Sequence, residues 1–436
     1  MRRYGPGVHE GTAGQGGRGQ GDEAMELPGG LRLRTATADD IEAIVALAVA
    51  AFGASDEPGV RTYLAGPGSD IRSWAVVADG DRVVSTCGLL PLPFRLDGAD
   101  FAGGQIEYVI TDPAYQRRGL VRALFEWHHA QAAALGHLAL FIGGIPYLYR
   151  RFGYGYGVSY PDLFIFDPAT LVPAADVALR AATPADIPAL LALDATRPRD
   201  GLRVARTATH FEQWLAMARL GSVDGEQLGS ERFYVAERDG AVVGWSALSE
   251  LEDEKRLLLM PVVTADAGVT DAVLAHGIEQ ARPKGYLLIG HDTPGTVHAE
   301  RLRAIGRIVP YGLGLYVRIP DAVAFLDALR PVLSARLAAS SFADARGEVN
   351  ISLYNESVLL TYADGSVTQV RRAPGVEDPF DDFTCGVAPD WFPALVLGRF
   401  GAKELEQRVD DVTLGQHADL LEVLFPRRDA DVVGDF

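Results

Sequence analysis

The sequence predicts an α/β fold present twice in tandem, followed by an α+β domain. Three observations predict it: the chain length, an internal repeat, and a change of texture near Pro320. At 436 residues the chain exceeds the roughly 250–300 residues at which one hydrophobic core stops growing, so two or three domains are expected. The repeat pairs Leu33-Arg34-Thr35-Ala36-Thr37 and Asp40-Ile41 with Leu179-Arg180-Ala181-Ala182-Thr183 and Asp186-Ile187. Each copy reads as a short strand, a threonine near the N-cap and an amphipathic helix. Downstream, Trp74 to Ala78 and Arg82 to Ser85 flank Asp79-Gly80, while Phe233 to Ala236 and Ala241 to Gly244 flank Asp239-Gly240. Both read as tight β-hairpins, so the two copies share the order strand, helix, hairpin.

Beyond Pro320 the pattern changes. Ala322 to Leu337 has helical spacing, Val349 to Leu353 and Ser357 to Thr361 read as strands, and Ala388 to Arg399 and Ala418 to Phe425 read as helices. Domains are therefore expected over 31–170, 171–319 and 320–436. They follow a Gly-rich extension, 1–30, whose composition predicts disorder. Within it, Met25 opens a more protein-like stretch.

Composition narrows the function. A hydrophobic share of 48% with 22% charged residues suits a soluble globular protein with large cores. The net charge of -18 argues against a nucleic-acid partner, which needs a concentrated basic surface, and suits a cationic substrate. Two distant cysteines, Cys87 and Cys385, make a disulfide framework improbable and a reducing, cytoplasmic setting the simplest. No apolar run approaches the roughly 20 residues needed to span a bilayer, so no membrane association is expected. The histidines show no zinc-ligand spacing; the pair His128-His129 reads as helix surface. Cys87 falls in a predicted strand with no neighbouring histidine, which speaks against thiol nucleophile chemistry.

The segment that carries chemistry runs from Glu107 to Arg122. Ile106 to Ile110 is an apolar strand that stops at Asp112-Pro113, and Gln116-Arg117-Arg118-Gly119-Leu120-Val121 runs into a helix with Leu120, Leu124, Phe125 and His128 on one face. A diphosphate needs this layout, a turn whose backbone N–H groups converge at the positive end of a helix. Gly119 permits close approach of the backbone, and Arg117 and Arg118 supply compensating charge.

Pro113 to Val121 closely resembles motif A of the GNAT acetyltransferases, (Gln/Arg)-x-x-Gly-x-(Gly/Ala), with Val121 departing from the small last residue. Tyr149-Arg150-Arg151-Phe152-Gly153-Tyr154 matches that family's Tyr-x-x-x-Gly-(Phe/Tyr) near the acetyl group. Two such domains, an α+β tail and a final phenylalanine resemble the enhanced intracellular survival family, tandem GNAT acetyltransferases with a third domain like sterol carrier protein type 2. The resemblance covers about Leu31 to Phe436. It implies acetyl-CoA as cosubstrate, no metal, an amine acceptor (a polyamine, an aminoglycoside-like compound or a lysine side chain) and a closed homo-oligomer, a hexamer in that family.

Roles follow from the same resemblance. Val109, Ile110 and Thr111 belong to the cofactor-binding strand end, and Gln116, Arg117, Arg118, Gly119, Leu120 and Val121 to the diphosphate turn. Tyr149 matches the tyrosine that protonates the coenzyme A sulfur; a phenol of pKa about 10 is protonated at neutral pH. For the base, relatives use the α-carboxylate of the terminal phenylalanine, here Phe436, while Glu107 on the motif strand is the rival. Gly143-Gly144-Ile145-Pro146 stands where survival-type relatives carry a polar Ser-Glu pair, which removes the ground for transferring an aminoglycoside preference. In the second copy, Val262 to Val269 lacks any Arg or Lys and places Asp266 at the turn, so that copy reads as having lost the cofactor. Two other readings compete: a tandem-GNAT aminoacyl or cysteinyl transferase, and a non-catalytic coenzyme A or lipid-binding protein.

Overall fold

The structure is a computed structural model that describes residues 24–220, 222–223, 226–227, 231–251, 254–309, 314–354, 356–374 and 384–432. Its repeated element is built as the sequence repeat implies. Thr37 and Thr183 each open a helical segment with a capping box closed by Asp40 and Asp186. Each aspartate also takes the arginine of the preceding strand, Arg34 at 2.6 Å and Arg180 at 2.8 Å. The repeat thus encodes one local device twice, satisfying the orphan N–H groups of a helix start and fixing the entry angle of the strand.

The main sheet of the first domain orders its strands as Met25–Leu27, Leu31–Thr35, Trp74–Asp79, Arg82–Leu96, Ala99–Thr111, Ala139–Ile142, Gly314–Arg318 and Gly155–Ser159. The second sheet runs Gly306–Val309, Leu163–Phe166, Leu287–His291, Arg256–Thr264, Ala241–Leu251, Glu231–Arg238 and Val177–Ala181. The two α/β units therefore trade a strand. Leu163–Phe166 pairs in the second sheet, and Gly314–Arg318 returns to lie between Ala139–Ile142 and Gly155–Ser159 of the first. The sheets cross the boundaries placed at 170 and 319, because periodicity fixes an element's type and not its partner.

Met25–Leu27 is also a strand, pairing Met25 with Leu33, so the disorder expected over 1–30 does not hold from Met25 onward; residues 1–23 lie outside the described residues. Leu27 packs against the first core and gives that short strand its anchor.

The third domain is a five-stranded sheet, Ser366–Pro374, Glu356–Ala363, Arg346–Ser352, Thr384–Val387 and Val412–Thr413, with short helices packed on it. The helix expected over Ala322 to Leu337 is broken into Ala322–Ala328 and Arg330–Ala338, because Pro331 has no N–H to continue the first. The helix expected over Ala388 to Arg399 contracts to Phe392–Val396, and that expected from Ala418 runs to Leu424. One continuous core joins this domain to the lower half of the first sheet, through Phe94, Phe101, Phe141, Val158 and Val317 against Phe325, Leu333, Leu395 and Leu421. Leu202–Val204 and Ala430–Asp431 extend the first sheet at the same end.

Candidate active site

The motif strand, Ala99–Thr111, and its hairpin partner, Arg82–Leu96, pair continuously except at one irregularity. Thr86 faces Ile110 but Gly88 faces Glu107, so the motif strand carries an extra residue, and Tyr108 adopts a left-handed φ of 50°. Such a bulge bends a strand and re-aims its groups. On its other edge, the motif strand pairs in parallel with Ala139–Ile142 only from Gly103 to Gln105. Beyond Gln105 the two strands part, leaving the edge from Ile106 onward open. The side chain of Ile110 is buried in a core, so that residue can offer a ligand only its backbone. Thr111 Oγ1 lies 2.8 Å from Ser85 Oγ, and Val109 is half-buried.

The strand ends where Asp112 accepts from the Ala114 N–H at 2.8 Å and pairs with Arg82 at 2.5 Å. Arg117 (φ 62°) and Gly119 (φ 83°) both turn left-handed before the motif helix Leu120–Ala134. No side chain caps that helix, and a Cβ on Gly119 would meet nothing within 4 Å. The positive helix end and its first N–H groups therefore face open space, as an anion requires. Arg118 is folded back over the Tyr115 ring at 4.7 Å, with its guanidinium donating to the Ala114 carbonyl. Leu120 is buried, so its side chain holds the helix down while Gln116 and Val121 flank the turn.

The motif helix buries Leu120, Leu124, Phe125, His128 and Ala132. His128 is therefore not surface. Its Nε2 lies 3.0 Å from the Cys87 carbonyl oxygen and its Nδ1 3.0 Å from Gln131 Oε1, and burial lowers its pKa. The i, i+4 step from Leu124 to His128 was the sign of this. Cys87 itself is buried in its strand, and burial pushes its thiol up.

A cavity of ≈ 400 Å³ opens between the first and second domains. The motif strand contributes Gln105, Glu107 and Tyr108; the first-domain helices contribute Asp56 and Tyr63; the second domain contributes Trp214, Arg232, Phe233 and Met260. Glu107 is half-buried here. Burial pushes its carboxyl up, the Gln105 amide that donates to it opposes this, and the charge of Asp56 adds to it. Tyr149 sits in the short turn Leu148–Phe152, buried, stacked on Phe125 at 6.0 Å and edge-on to Tyr316 at 5.4 Å. Burial, then the charge of Glu107, pushes its hydroxyl up to about 12, with the Ile145 backbone opposing. Its neighbours are placed otherwise. Tyr147 is exposed, and Tyr154 is fully buried with its hydroxyl 3.1 Å from His129 Nε2.

The second copy repeats the backbone but not the chemistry. Ser246 faces Val262 and Leu248 faces Leu259, the same irregularity, which sets Leu259, Met260 and Pro261 in the places of Glu107, Tyr108 and Val109. Proline has no N–H to offer, and the Val262 N–H is already donated to Thr293 Oγ1 at 3.3 Å. At the helix start, Asp266 accepts from the Val269 N–H at 3.0 Å and pairs with Arg238 at 2.8 Å. The helix end that would hold an anion already holds a carboxylate of its own.

Phe436 lies outside the described residues, as do 433–435. The approach to it is described. Ala430–Asp431 runs parallel to Leu202–Val204, which is antiparallel to Arg82–Leu96 with Leu202 facing Leu96 and Val204 facing Phe94. The chain therefore reaches Val432, fully buried, heading along that strand toward its Gly88 end, opposite Glu107. Among the described residues no three His, Cys, Asp or Glu side chains gather as metal ligands, and no helix is long and apolar enough to cross a membrane.

Residues 32–157 match the family model of an acetyltransferase (GNAT) domain. The first domain is a GNAT acetyltransferase domain. No curated protein matches the sequence. The whole fold is shared with solved structures. A GCN5-related N-acetyltransferase from Kribbella flavida is 18% identical with a TM-score of 0.62, covering 93% of this chain and 100% of its own. A GCN5-related N-acetyltransferase from Anabaena variabilis is 13% identical with a TM-score of 0.62, covering 92% and 98%. Eis1 from Mycobacterium abscessus is 14% identical with a TM-score of 0.60, covering 93% and 100%. At these identities the likeness is one of fold: tandem GNAT units followed by a C-terminal domain. These likenesses show the fold, and residues 32–157 carry the family pattern of a GNAT acetyltransferase domain.

Proposed function

We propose that the chain transfers an acetyl group from acetyl-CoA to a primary amine lodged in the cavity between its first two domains, by direct attack in a ternary complex. The observation that carries this is the junction at Glu107. One bulged strand presents a carboxylate to the cavity while its opened edge leads to an uncapped helix start. Acetyl-CoA supplies an acetyl thioester and a diphosphate that suit these two features. The turn Gln116–Val121, with Arg117, Arg118 and Gly119, would hold the diphosphate, and the opened edge at Val109, Ile110 and Thr111 would hold the arm and the thioester carbonyl.

Glu107, with its raised pKa, accepts the amine proton directly or through a water. Tyr149, neutral and close enough to feel the charge of Glu107, donates its proton to the departing sulfur. The course of Ala430–Asp431 toward the same region supports a second assignment for the base, the Phe436 carboxylate. The acceptor is proposed as a small-molecule amine or lysine amine on the strength of the cavity's carboxylates, Glu107 and Asp56. No observation favours a cysteinyl donor, and many buried apolar side chains of the third domain pack into the core shared with the first sheet, so nothing among the described residues favours a lipid-carrying reading. A cytoplasmic homo-oligomer, hexameric as in the survival family, is part of the same proposal.

The test is thiol release from acetyl-CoA across a panel of amines, with product masses. Acetylated amine and stoichiometric coenzyme A are expected. Binding of acetyl-CoA with no release to any amine would return the chain to the binding-protein reading.

A further inference from the structure

His291, at the end of the second-domain strand Leu287–His291, is only 2% exposed, and neither ring nitrogen has a hydrogen-bond partner. A neutral imidazole carries one donor and one acceptor, and leaving both unmade in a dry site is costly. Burial and the neighbouring His298 hold this ring neutral. The ring lines a recess of ≈ 50 Å³ that shares Tyr160, Leu251, Leu258 and Met260 with the cavity at Glu107. One face of the second sheet thus runs from the acceptor cavity to His291, and its walls along the way are apolar. The rim charges Glu254 and Arg256 neutralise each other at 2.8 Å.

We infer that this recess is the far subsite of the acceptor cavity, and that the preferred acceptor is a primary amine on an apolar arm ending in a neutral hydrogen-bonding group, a carboxamide or hydroxyl. The inference rests on the acetyl-transfer reading above and names its substrate class. A carboxamide offers His291 a donor and an acceptor at once, matching the two orphan nitrogens. A polyamine would instead place an ammonium among Leu251, Leu258 and Met260, desolvated, with the rim carboxylate Glu254 already paired to Arg256. The volume exceeds the roughly 10–15 Å³ of probe volume a cavity needs to hold one water, so the recess has room for a small terminal group.

Steady-state acetylation of four amines by the full chain tests this: propylamine, hexylamine, the ω-carboxamide of hexylamine's length, and spermidine. The carboxamide should exceed hexylamine in kcat/KM by about tenfold, the worth of one hydrogen bond made in a dry site, and exceed spermidine as well. His291→Phe should raise KM for the carboxamide by a similar factor, leaving propylamine turnover and the KM for acetyl-CoA unchanged. His291→Gln, which keeps a donor and an acceptor, should retain the preference. If His291→Phe does not fold, Ile289→Phe fills the recess from the same face of the strand, and the wild-type preference needs no variant. Equal rates for carboxamide and hexylamine, or a preference for spermidine, would mean that His291 faces only a trapped water and would overturn the inference. Release from propylamine without any preference sinks this inference alone; no release from any amine sinks the acetyl-transfer reading with it.

Discussion

Tyr149 owes its assignment to packing as much as to motif register. Four other tyrosines crowd the stretch from Tyr147 to Tyr160, and the sequence separates them only by family spacing. In the structure, Phe125 and Tyr316 hold the Tyr149 ring, and burial beside Glu107 keeps its hydroxyl protonated up to about 12. Tyr149→Phe preserves those ring contacts and removes only the hydroxyl that donates the proton. It should therefore lower kcat by about 10²–10⁴-fold with the affinity for acetyl-CoA unchanged, read by steady-state kinetics beside calorimetry. The base is decided by a pair of variants. Adding a few small residues after Phe436 neutralises its α-carboxylate as an amide, whereas Glu107→Gln removes the cavity carboxylate. If Glu107 is the base, Glu107→Gln loses most of kcat, the extension is tolerated, and kcat/KM rises with pH through a limb above the ordinary glutamate value of about 4.3. The reverse pattern assigns the base to Phe436. What the sequence hid at this scale is long-range: the left-handed Tyr108 and the pairing of His128 with Cys87 depend on neighbours distant in the chain.

The motif turn, the strand that precedes it and the uncapped helix were legible as elements, because glycine, arginine and the apolar period each have a local cause. The exchanged strands Leu163–Phe166 and Gly314–Arg318 were not, since a four- or five-residue apolar run carries no mark of its partner sheet. The loss of the second cofactor site was readable at Asp266 but less so at Pro261, whose meaning emerges only when its register is set against Val109. One acetyl-CoA should bind per chain. Arg117→Ala with Arg118→Ala should weaken binding by a few kcal/mol, given about 1.5–3 for each charge-assisted contact, after Arg118 leaves the Tyr115 ring. Asp266→Ala should not create a second site, because Pro261 still lacks its N–H; calorimetry reporting two sites in that variant would overturn the account of the second domain.

At the scale of the molecule, one carboxylate ties the three parts together. Asp97 lies in the tight turn between Arg82–Leu96 and Ala99–Thr111, at the end of the first sheet remote from Glu107. It accepts from the Gly201 N–H of the second part at 2.6 Å, from Arg336 of the third at 2.5 Å, and from Arg428 of the closing segment at 2.8 Å. Gly201 (φ 85°) is required there, since a Cβ would come within 2.4 Å of the Asp429 carbonyl oxygen. The Asp-Gly turn at 97–98 is visible in the sequence, but its three partners are not. Burial alone would raise the Asp97 carboxyl, yet the hydrogen bonds from Arg336, Arg428 and Gly201 outweigh it and hold the pKa below its ordinary value. A group with a depressed folded pKa stabilises above its unfolded value of about 3.9 and loses that contribution as pH falls through the folded one. Asp97→Ala leaves two arginines facing each other without their anion, a loss of about 3–5 kcal/mol when such a pair is buried. The variant should therefore melt earlier than wild type at neutral pH. The gap between the two should begin to narrow as pH falls below about 4, where the unfolded chain takes up the proton first, and should close as the native carboxylate protonates at lower pH. Because a three-part chain need not unfold in one step, the sharper reading is local: amide exchange should quicken in Arg330–Ala338 and around Gly201 before it does in the motif helix. A uniform rise in exchange, or a melting gap that widens in acid, would show that Asp97 is not the joint.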